Sequence, residues 1–190
     1  MLQSKFLTEK ELKDFGFKSL GINVRISSDV RIYGQENISI GNNVRIDDFT
    51  SLTAASGYIH IGNYVYIGRN CNLVGSLGIE MKDFSSIGSN SCVYSSSDDF
   101  KGNFLTAQAV PKQYTTQIGG KVTIGKHVII GTTVTIFGKC KIGEGCSIGA
   151  MSFIKKDLKE WGIYAGAPAS LISKRKKNLL KLEKKLIKEK

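Results

Sequence analysis

The chain has 190 residues, enough for one domain with a sizeable core. Its 27 Lys and Arg residues exceed its 16 Asp and Glu residues, but we expect no nucleic-acid binding, because no helix-turn-helix, zinc-finger or aromatic RNA-binding pattern is present. No apolar run is long enough to span a membrane, the N-terminus lacks an apolar signal core, and the four cysteines lack zinc-type spacing. We therefore expect a cytoplasmic protein with reduced thiols and without a metal.

A short cap helix is predicted at the N-terminus, within residues 1–20. Thr8 and Glu11 form a T-x-x-E capping box, and Gly16 ends the helix. The apolar side chains available to cover the first coil of the following repeat are Phe6, Leu12 and Phe15. Such a lid is expected, because the open end of a stacked repeat exposes apolar side chains and strand edges.

A six-residue repeat follows, over residues 21–94 and 122–155. Its most regular part places isoleucine at Ile124, Ile130, Ile136, Ile142, Ile148 and Ile154. Four positions after the first five of these come the small or β-branched residues Val128, Val134, Cys140, Cys146 and Ser152. Two inward positions in six suit short strands, and three strands close a coil of about 18 residues that is stable only in a stack. Glycine follows four of the six isoleucines, and we expect φ > 0 at these corners.

Residues 95–121 interrupt the repeat and are predicted to project as one loop, which we interpret as the active-site loop. Residues 156–190 are predicted to form a tail and a basic C-terminal helix, from about Ser173 to Lys188. The apolar stripe of that helix is Leu179, Leu182 and Leu186. All 190 residues are treated as a single domain.

The segments IGAMSFIKKDL and IYAGAPASLI, within residues 148–172, resemble the end of the hexapeptide-repeat acyltransferases. The resemblance implies an all-β fold, a left-handed parallel β-helix with short terminal helices and one protruding loop. It also implies a homotrimer that binds acetyl-CoA between subunits. The coenzyme-binding residues that it implies are Gly149, Ala150, Ser152, Lys155, Lys156, Ala165 and Gly166. The small residues would let a pantetheine arm reach the backbone, and the lysines would meet phosphates.

The stretch FSSIGSNSCVYSSSDDFKGN, residues 84–103, is similar to a narrower branch of this family. Enzymes of that branch acylate the amino group of nucleotide-linked 4-amino-4,6-dideoxy sugars of the anthrose and viosamine type. The resemblance places Ser89 and Tyr94 in the sugar pocket and gives Asp98 or Asp99 the binding of the amine. Of the two histidines, His127 is a candidate general base, because imidazole accepts a proton at neutral pH. The other, His60, is interpreted as a surface corner residue.

The sequence therefore favours an N-acetyltransferase that moves an acyl group from acyl-CoA to a dTDP- or UDP-linked amino-dideoxy sugar for polysaccharide synthesis. One alternative is a saccharide O-acetyltransferase, although the galactoside and maltose enzymes have a catalytic histidine where this chain reads Ser95-Ser96-Ser97-Asp98. Another alternative is a non-catalytic β-helical binding scaffold, which the intact Ala165-Gly166-Ala167-Pro168 segment argues against.

Overall fold

The computed structural model describes residues 5–107 and 109–189, and most of them form a parallel β-helix with three flat faces. In chain order its helices and strands are α1 Glu9–Asp14, β1 Ser19–Leu20, β2 Arg25–Ile26, β3 Arg31–Tyr33, β4 Ile38–Ile40, β5 Arg45–Ile46, β6 Ser51–Thr53, β7 Ile59–Ile61, β8 Tyr66–Ile67, β9 Asn72–Val74, β10 Ile79–Met81, β11 Ser86–Ile87, β12 Cys92–Tyr94, β13 Ser96–Ser97, β14 Ile118–Gly119, β15 Val122–Ile124, β16 Ile129–Ile130, β17 Thr135–Phe137, β18 Cys140–Ile142, β19 Ser147–Ile148, β20 Phe153–Ile154, β21 Gly162–Gly166, β22 Ala169–Lys174 and α2 Leu179–Lys188.

Each coil contributes one strand to each face. The first face contains β1, β4, β7, β10, β15 and β18, the second contains β2, β5, β8, β11, β16, β19, β21 and β22, and the third contains β3, β6, β9, β12, β17 and β20. The projecting loop does not disturb the register, since Ile79 pairs with Val122 and Val93 with Ile136 across it. The loop itself carries a small antiparallel ribbon of β13 and β14.

The core confirms the six-residue repeat. The six predicted isoleucines are each at most 3% exposed, and the five small positions that follow them are buried as well. Fully burying an isoleucine side chain stabilises the fold by about 1.5–3 kcal/mol. The column of isoleucines is therefore the main apolar support of the coils.

The glycines after the isoleucines serve a purpose other than the predicted one. Left-handed backbone occurs two residues further on, at Tyr64, Asn90 and Thr133 for example, with φ between 56° and 61°. A Cβ on Gly41 would instead lie 2.7 Å from the carbonyl oxygen of Gly62 in the next coil. Glycine is therefore required because the stacked corners approach each other too closely for a side chain.

The N-terminal capping box is confirmed. The N–H of Glu11 donates to Thr8 Oγ1 over 3.2 Å, and the N–H of Thr8 donates to Glu11 Oε2 over 2.7 Å. Leu12 packs into the core, whereas Phe15 is 36% exposed. The first strand, β1, already lies within the predicted cap segment 1–20.

The C-terminal segment differs from the predicted tail and helix. Residues 156–190 contain β21 and β22, which extend the second face because Ile163 and Tyr164 pair with β19. Ser173 lies in β22, so the helix begins only at Leu179. The predicted apolar stripe is not packed along its whole length, since Leu182 is 68% exposed. The helix is instead held by Glu183, which contacts the side of the solenoid rather than its end.

Candidate active site

Most of the predicted coenzyme-binding positions lie at the corner between the second and third faces, which we call the second corner. In four successive coils this corner is formed by Gly68–Asn70, Gly88–Asn90, Gly131–Thr133 and Gly149–Met151. Ser89, Gly149 and Ala150 therefore belong to one column with a spacing of about 4.8 Å per coil. Ala165 and Gly166 continue the column, since a Cβ on Gly149 would lie 2.9 Å from Ala165 Cβ.

Side chains cap part of the first corner, between the first and second faces, but none of these four turns of the second corner. At the first corner, the second residue of the first three turns is capped by a side chain of the next coil, whereas the N–H groups of Asp83, Lys126 and Glu144 have no acceptor within the described residues. The N–H of Ile22 donates to Asn42 Oδ1 over 2.9 Å, and the N–H of Asn42 donates to Asn63 Oδ1 over 2.9 Å. The N–H of Asn63 likewise donates to Asp83 Oδ1 over 2.7 Å. These N–H groups point out of the corner and need an acceptor there.

At the second corner the equivalent N–H groups are uncapped. They belong to Arg69, Ser89, Thr132 and Ala150, and none of them has an acceptor within residues 5–107 and 109–189. Glycines lie against these donors, because a Cβ on Gly88 or Gly131 would come within 2.7 Å of the amide nitrogen of Thr132 or Ala150. The corner is therefore a row of free amide donors, and its C-terminal end has the small residues Gly149 and Ala150 beside an exposed Met151.

This arrangement fits a pantetheine arm, whose amide and thioester carbonyls accept hydrogen bonds. Thr132 was not among the predicted site residues. The sequence carries only a partial signal for it. The position after the corner glycine is a capping Asn42 or Asn63 in early coils of the first corner and Ser89 or Thr132 at the second corner, but it is Lys126 at the first corner in the coil of Thr132.

Ser152, predicted to bind the coenzyme, lies inside the coil. It is 2% exposed, and its hydroxyl donates to the Gly149 carbonyl over 2.7 Å and accepts from the Gly166 N–H over 3.2 Å. Its side chain therefore has no free group to offer a bound coenzyme. Lys155 and Lys156 are exposed, but they lie on the far side of β20, at the corner between the third and first faces.

That third corner carries the projecting loop with Asp98 and Asp99. Asp98 is exposed, whereas Asp99 is 3% exposed. Asp99 accepts hydrogen bonds from the N–H groups of Lys101, Asn103 and Phe104, at 2.8, 2.6 and 3.2 Å. These backbone bonds, that of Lys101 most of all, hold the pKa of Asp99 below its ordinary value. Asp99 thus organises the loop as an ionised carboxylate.

Tyr94 ends β12 at the base of this loop and is half-buried on the outer side of the third face. Its hydroxyl accepts a hydrogen bond from Asn72 Nδ2 over 3.3 Å. Burial is the main cause that raises the pKa of Tyr94, so the phenol is neutral at physiological pH. It faces outward from the third face.

The structure does not support His127 as the general base. It lies at the first corner, is 7% exposed, and its Nε2 is 2.8 Å from Glu183 Oε2. Its ring stacks on Phe84 with 5.1 Å between centroids. We therefore assign His127 to packing against α2. His60 is not a corner residue either, since it lies in the middle of β7 with its ring 4.5 Å from that of Tyr58.

The predicted residues are thus divided among three corners of one chain. Ser89 and Asp99 lie on opposite sides of β12, and His127 lies at a third location. One chain therefore presents the second corner and the aspartate loop at separate places. Within the described residues no group of three His, Cys, Asp or Glu side chains is arranged to hold a metal ion, and no helix is long and apolar enough to cross a membrane.

Comparison with known proteins gives consistent results. A family model described as bacterial transferase hexapeptide (six repeats) matches residues 121–156. A dTDP-4-amino-4,6-dideoxy-D-glucose acyltransferase from Escherichia coli is 43% identical over 178 residues, which cover 94% of this chain and 93% of the relative.

Solved structures of AntD, an N-acyltransferase from Bacillus cereus, are also similar. A complex with dTDP and coenzyme A has a TM-score of 0.94 and 45% identity, covering 99% of this chain and 100% of that chain. A complex with dTDP and 3-hydroxybutyryl-CoA has a TM-score of 0.93 and 46% identity, with 98% of both chains covered. The crystallised AntD variants include substitutions of a serine and of an aspartate ten positions later. Ser89 and Asp99 have the same separation in this chain.

Proposed function

This chain belongs to the hexapeptide-repeat acyltransferases, with their left-handed parallel β-helix, and we propose that it acylates the amino group of a dTDP-linked 4-amino-4,6-dideoxy sugar. The acyl donor is acyl-CoA. The observation that carries the proposal is the row of uncapped N–H groups at the second corner, in a chain so similar to a dTDP-amino-sugar acyltransferase along almost its whole length.

The donor is assigned to the second corner. The N–H groups of Thr132 and Ala150 are available to carbonyl oxygens of the pantetheine arm, and Gly149 and Ala165 leave the backbone accessible. Lys155 and Lys156 are exposed near this end of the solenoid and are proposed to meet the coenzyme phosphates across a subunit boundary.

The amino sugar is assigned to the aspartate loop. The separation between Ser89 and Asp99, the same as between the substituted residues of AntD, supports a role for both. Asp98 offers an exposed carboxylate that attracts the ammonium form of the sugar, and Asp99 fixes the loop that carries it. Ser89 and Tyr94 are proposed to contact the sugar.

We propose a homotrimer, because the second corner and the aspartate loop lie apart in a single chain. The loop exposes Phe100, Leu105 and Tyr114, which are 89%, 59% and 53% exposed. The outward positions of the third face are uncharged from Tyr33 to Phe153, and Arg31 of β3 is the charged exception among its strand residues. Apolar exposure of this kind marks an interface, and a head-to-tail contact between the loop and a neighbour's corner closes a ring. The four free cysteines, three of which are buried, support a cytoplasmic location.

The chemistry needs no strong base. The neutral amine nitrogen forms a C–N bond with the thioester carbonyl carbon, and the C–S bond breaks. The nitrogen loses one proton as the amide forms, and this proton neutralises the coenzyme A thiolate that leaves. Second-corner N–H groups donate to the carbonyl oxygen as negative charge develops on it, which lowers the barrier. His127 is held by Glu183, and the ring of His60 lies against that of Tyr58, which favours an amine acceptor over a hydroxyl acceptor that needs a base.

The proposal is tested with a panel of dTDP- and UDP-linked amino sugars and acetyl-CoA or 3-hydroxybutyryl-CoA, by detection of the free thiol. We expect turnover with dTDP-4-amino-4,6-dideoxyglucose. The matched control is the corresponding 4-hydroxy sugar nucleotide, which we expect to remain unacylated. Equal thiol release from both acceptors would instead identify an O-acyltransferase.

A further inference from the structure

Buried hydroxyl and thiol groups line the inside of the second corner, coil after coil. Thr50 Oγ1 donates to the Gly68 carbonyl over 2.8 Å, and Ser91 Oγ donates to the Gly131 carbonyl over 3.1 Å. Ser152 Oγ donates to the Gly149 carbonyl of its own turn, over 2.7 Å, rather than to the next coil. These three side chains are each at most 2% exposed.

The coil between Thr50 and Ser91 has a cysteine at this place. Cys71 Sγ lies 3.3 Å from the Gly88 carbonyl oxygen, so a thiol takes the position of the hydroxyl. Thr50 and Ser91 also accept hydrogen bonds, from the N–H groups of Cys71 and Val134, both at 3.1 Å. Each hydroxyl is therefore fixed from two sides and has one orientation.

Each carbonyl held in this way shares a peptide plane with one of the uncapped donors. The Gly131 carbonyl and the Thr132 N–H belong to the same peptide group, as do the Gly149 carbonyl and the Ala150 N–H. In a trans peptide the C=O and the N–H point in opposite directions. A carbonyl held toward the core therefore directs the N–H of the following residue out of the corner.

We propose that Ser91 and Ser152 are positioning residues for the acyl donor, because they fix the peptide planes that present the Thr132 and Ala150 N–H groups. They do this from inside the core and touch no substrate. This inference rests on the proposed function insofar as it takes the second corner to be the donor site. It also gives Ser152, predicted as a coenzyme ligand, an indirect role.

Ser85 provides a matched control. It occupies the same inward position of the repeat at the first corner, is 1% exposed, and its hydroxyl donates to the Lys82 carbonyl over 2.7 Å. Removing that hydroxyl removes one buried hydrogen bond, in a corner that binds no donor. Ser91→Ala removes two, the bond to the Gly131 carbonyl and the bond from the Val134 N–H, so it should destabilise the fold more than Ser85→Ala does.

The experiment measures the Kd of coenzyme A by titration calorimetry on the full-length oligomer, the Tm, and kcat and KM for acetyl-CoA. We expect Ser91→Ala to weaken coenzyme A binding about tenfold, the equivalent of one well-placed hydrogen bond. Ser91→Cys should bind within about threefold of wild type, since Cys71 already makes this contact in the neighbouring coil. Ser85→Ala should keep the wild-type Kd although its Tm falls.

Equal Kd values for Ser91→Ala and Ser85→Ala would overturn the inference, as would a Ser91→Cys variant that binds as weakly as Ser91→Ala. Should Ser91→Ala fail to fold, Ser152→Ala gives the same comparison at the Gly149 carbonyl. A wild-type protein that binds coenzyme A but leaves the amino sugar unacylated contradicts the proposed acceptor only, and the serine comparison is still decisive. A wild-type protein that binds no coenzyme A contradicts both.

Discussion

Glu183 joins the C-terminal helix to the solenoid through His127. One carboxylate oxygen lies 2.8 Å from His127 Nε2, and the other bonds the ammonium of Lys126. The contact is shielded, since the side chains of His127 and Glu183 are 7% and 11% exposed. The basic helix is thereby held along the first corner, on the far side of the second face from the proposed donor site.

Replacing Glu183 should release this helix. We expect Glu183→Gln to lower the free energy of unfolding by about 1–3 kcal/mol, because a charge-assisted contact to both Lys126 and His127 is lost. The fluorescence of Trp161, the only tryptophan, reports the change, since its ring lies 6.5 Å from that of His127. Glu189→Gln is the control, because Glu189 is exposed and contacts only Lys185, over 3.7 Å.

Lowering the pH should release the C-terminal helix in the same way as Glu183→Gln. Lys126, and then His127, hold the pKa of Glu183 below its ordinary value. A carboxylate with a lowered folded-state pKa contributes stability above its unfolded pKa, about 4.3, and loses it as the pH falls through the folded value. The Trp161 emission should therefore be constant from pH 7 to about pH 5 and shift to the red below about pH 4. A transition already complete above about pH 5 would contradict the assignment to this carboxylate.

Cys140 should resist alkylation in the native protein. It is buried, and burial raises the pKa of its thiol to about 12, so almost no thiolate is present at pH 8. We expect maleimide labelling of Cys140 only at the rate of global unfolding, measured by mass spectrometry of its peptide. The denatured chain, in which all four cysteines should label, is the control. Stoichiometric labelling within minutes in the native state would show that the end of the solenoid opens readily.

Substitutions at the two loop aspartates should have different effects. Asp98→Asn removes an exposed charge and leaves the loop bonds intact, so we expect a KM for the amino sugar about tenfold higher, with a smaller change in kcat. Asp99→Asn replaces an acceptor of three N–H bonds by a group with one oxygen. We expect Asp99→Asn to lower kcat/KM at least as much as Asp98→Asn does, because it disorders the loop.

Asp14→Asn, at an exposed position on α1, is the control for these variants and should have wild-type kinetics. Steady-state kinetics with saturating acetyl-CoA provide the measurement. Wild-type kcat/KM in both loop variants would remove the aspartates from the site.

Gly41→Ala tests the close stacking of the corners. The new Cβ would lie 2.7 Å from the Gly62 carbonyl oxygen, and backbone in a stacked coil has little freedom to move. We expect a loss of about 1–3 kcal/mol in the free energy of unfolding, measured by denaturant titration. Ser39→Ala, two residues earlier and facing outward from β4, should change it by less than about 0.5 kcal/mol. Equal stability of the two variants would contradict the close-approach argument.

The sequence by itself determined the all-β repeat, its inward residues and the position of the N-terminal cap. A period of six needs only local spacing, and the Thr8–Glu11 capping box lies within four residues of chain. The Gly149-Ala150 segment was also recognisable, because small residues next to each other leave the backbone open whatever the rest of the chain does.

Only the tertiary structure decided which residues meet between coils. Stacked partners such as Ser91 and Gly131 are forty residues apart, and their register depends on the lengths of the intervening corners and of the projecting loop. The same dependence placed His127 against Glu183 and put Ser89 and Asp99 on opposite sides of one strand. The repeat fixes whether a side chain faces in or out, whereas the free amide donors and the partners of buried hydroxyls follow from contacts between coils.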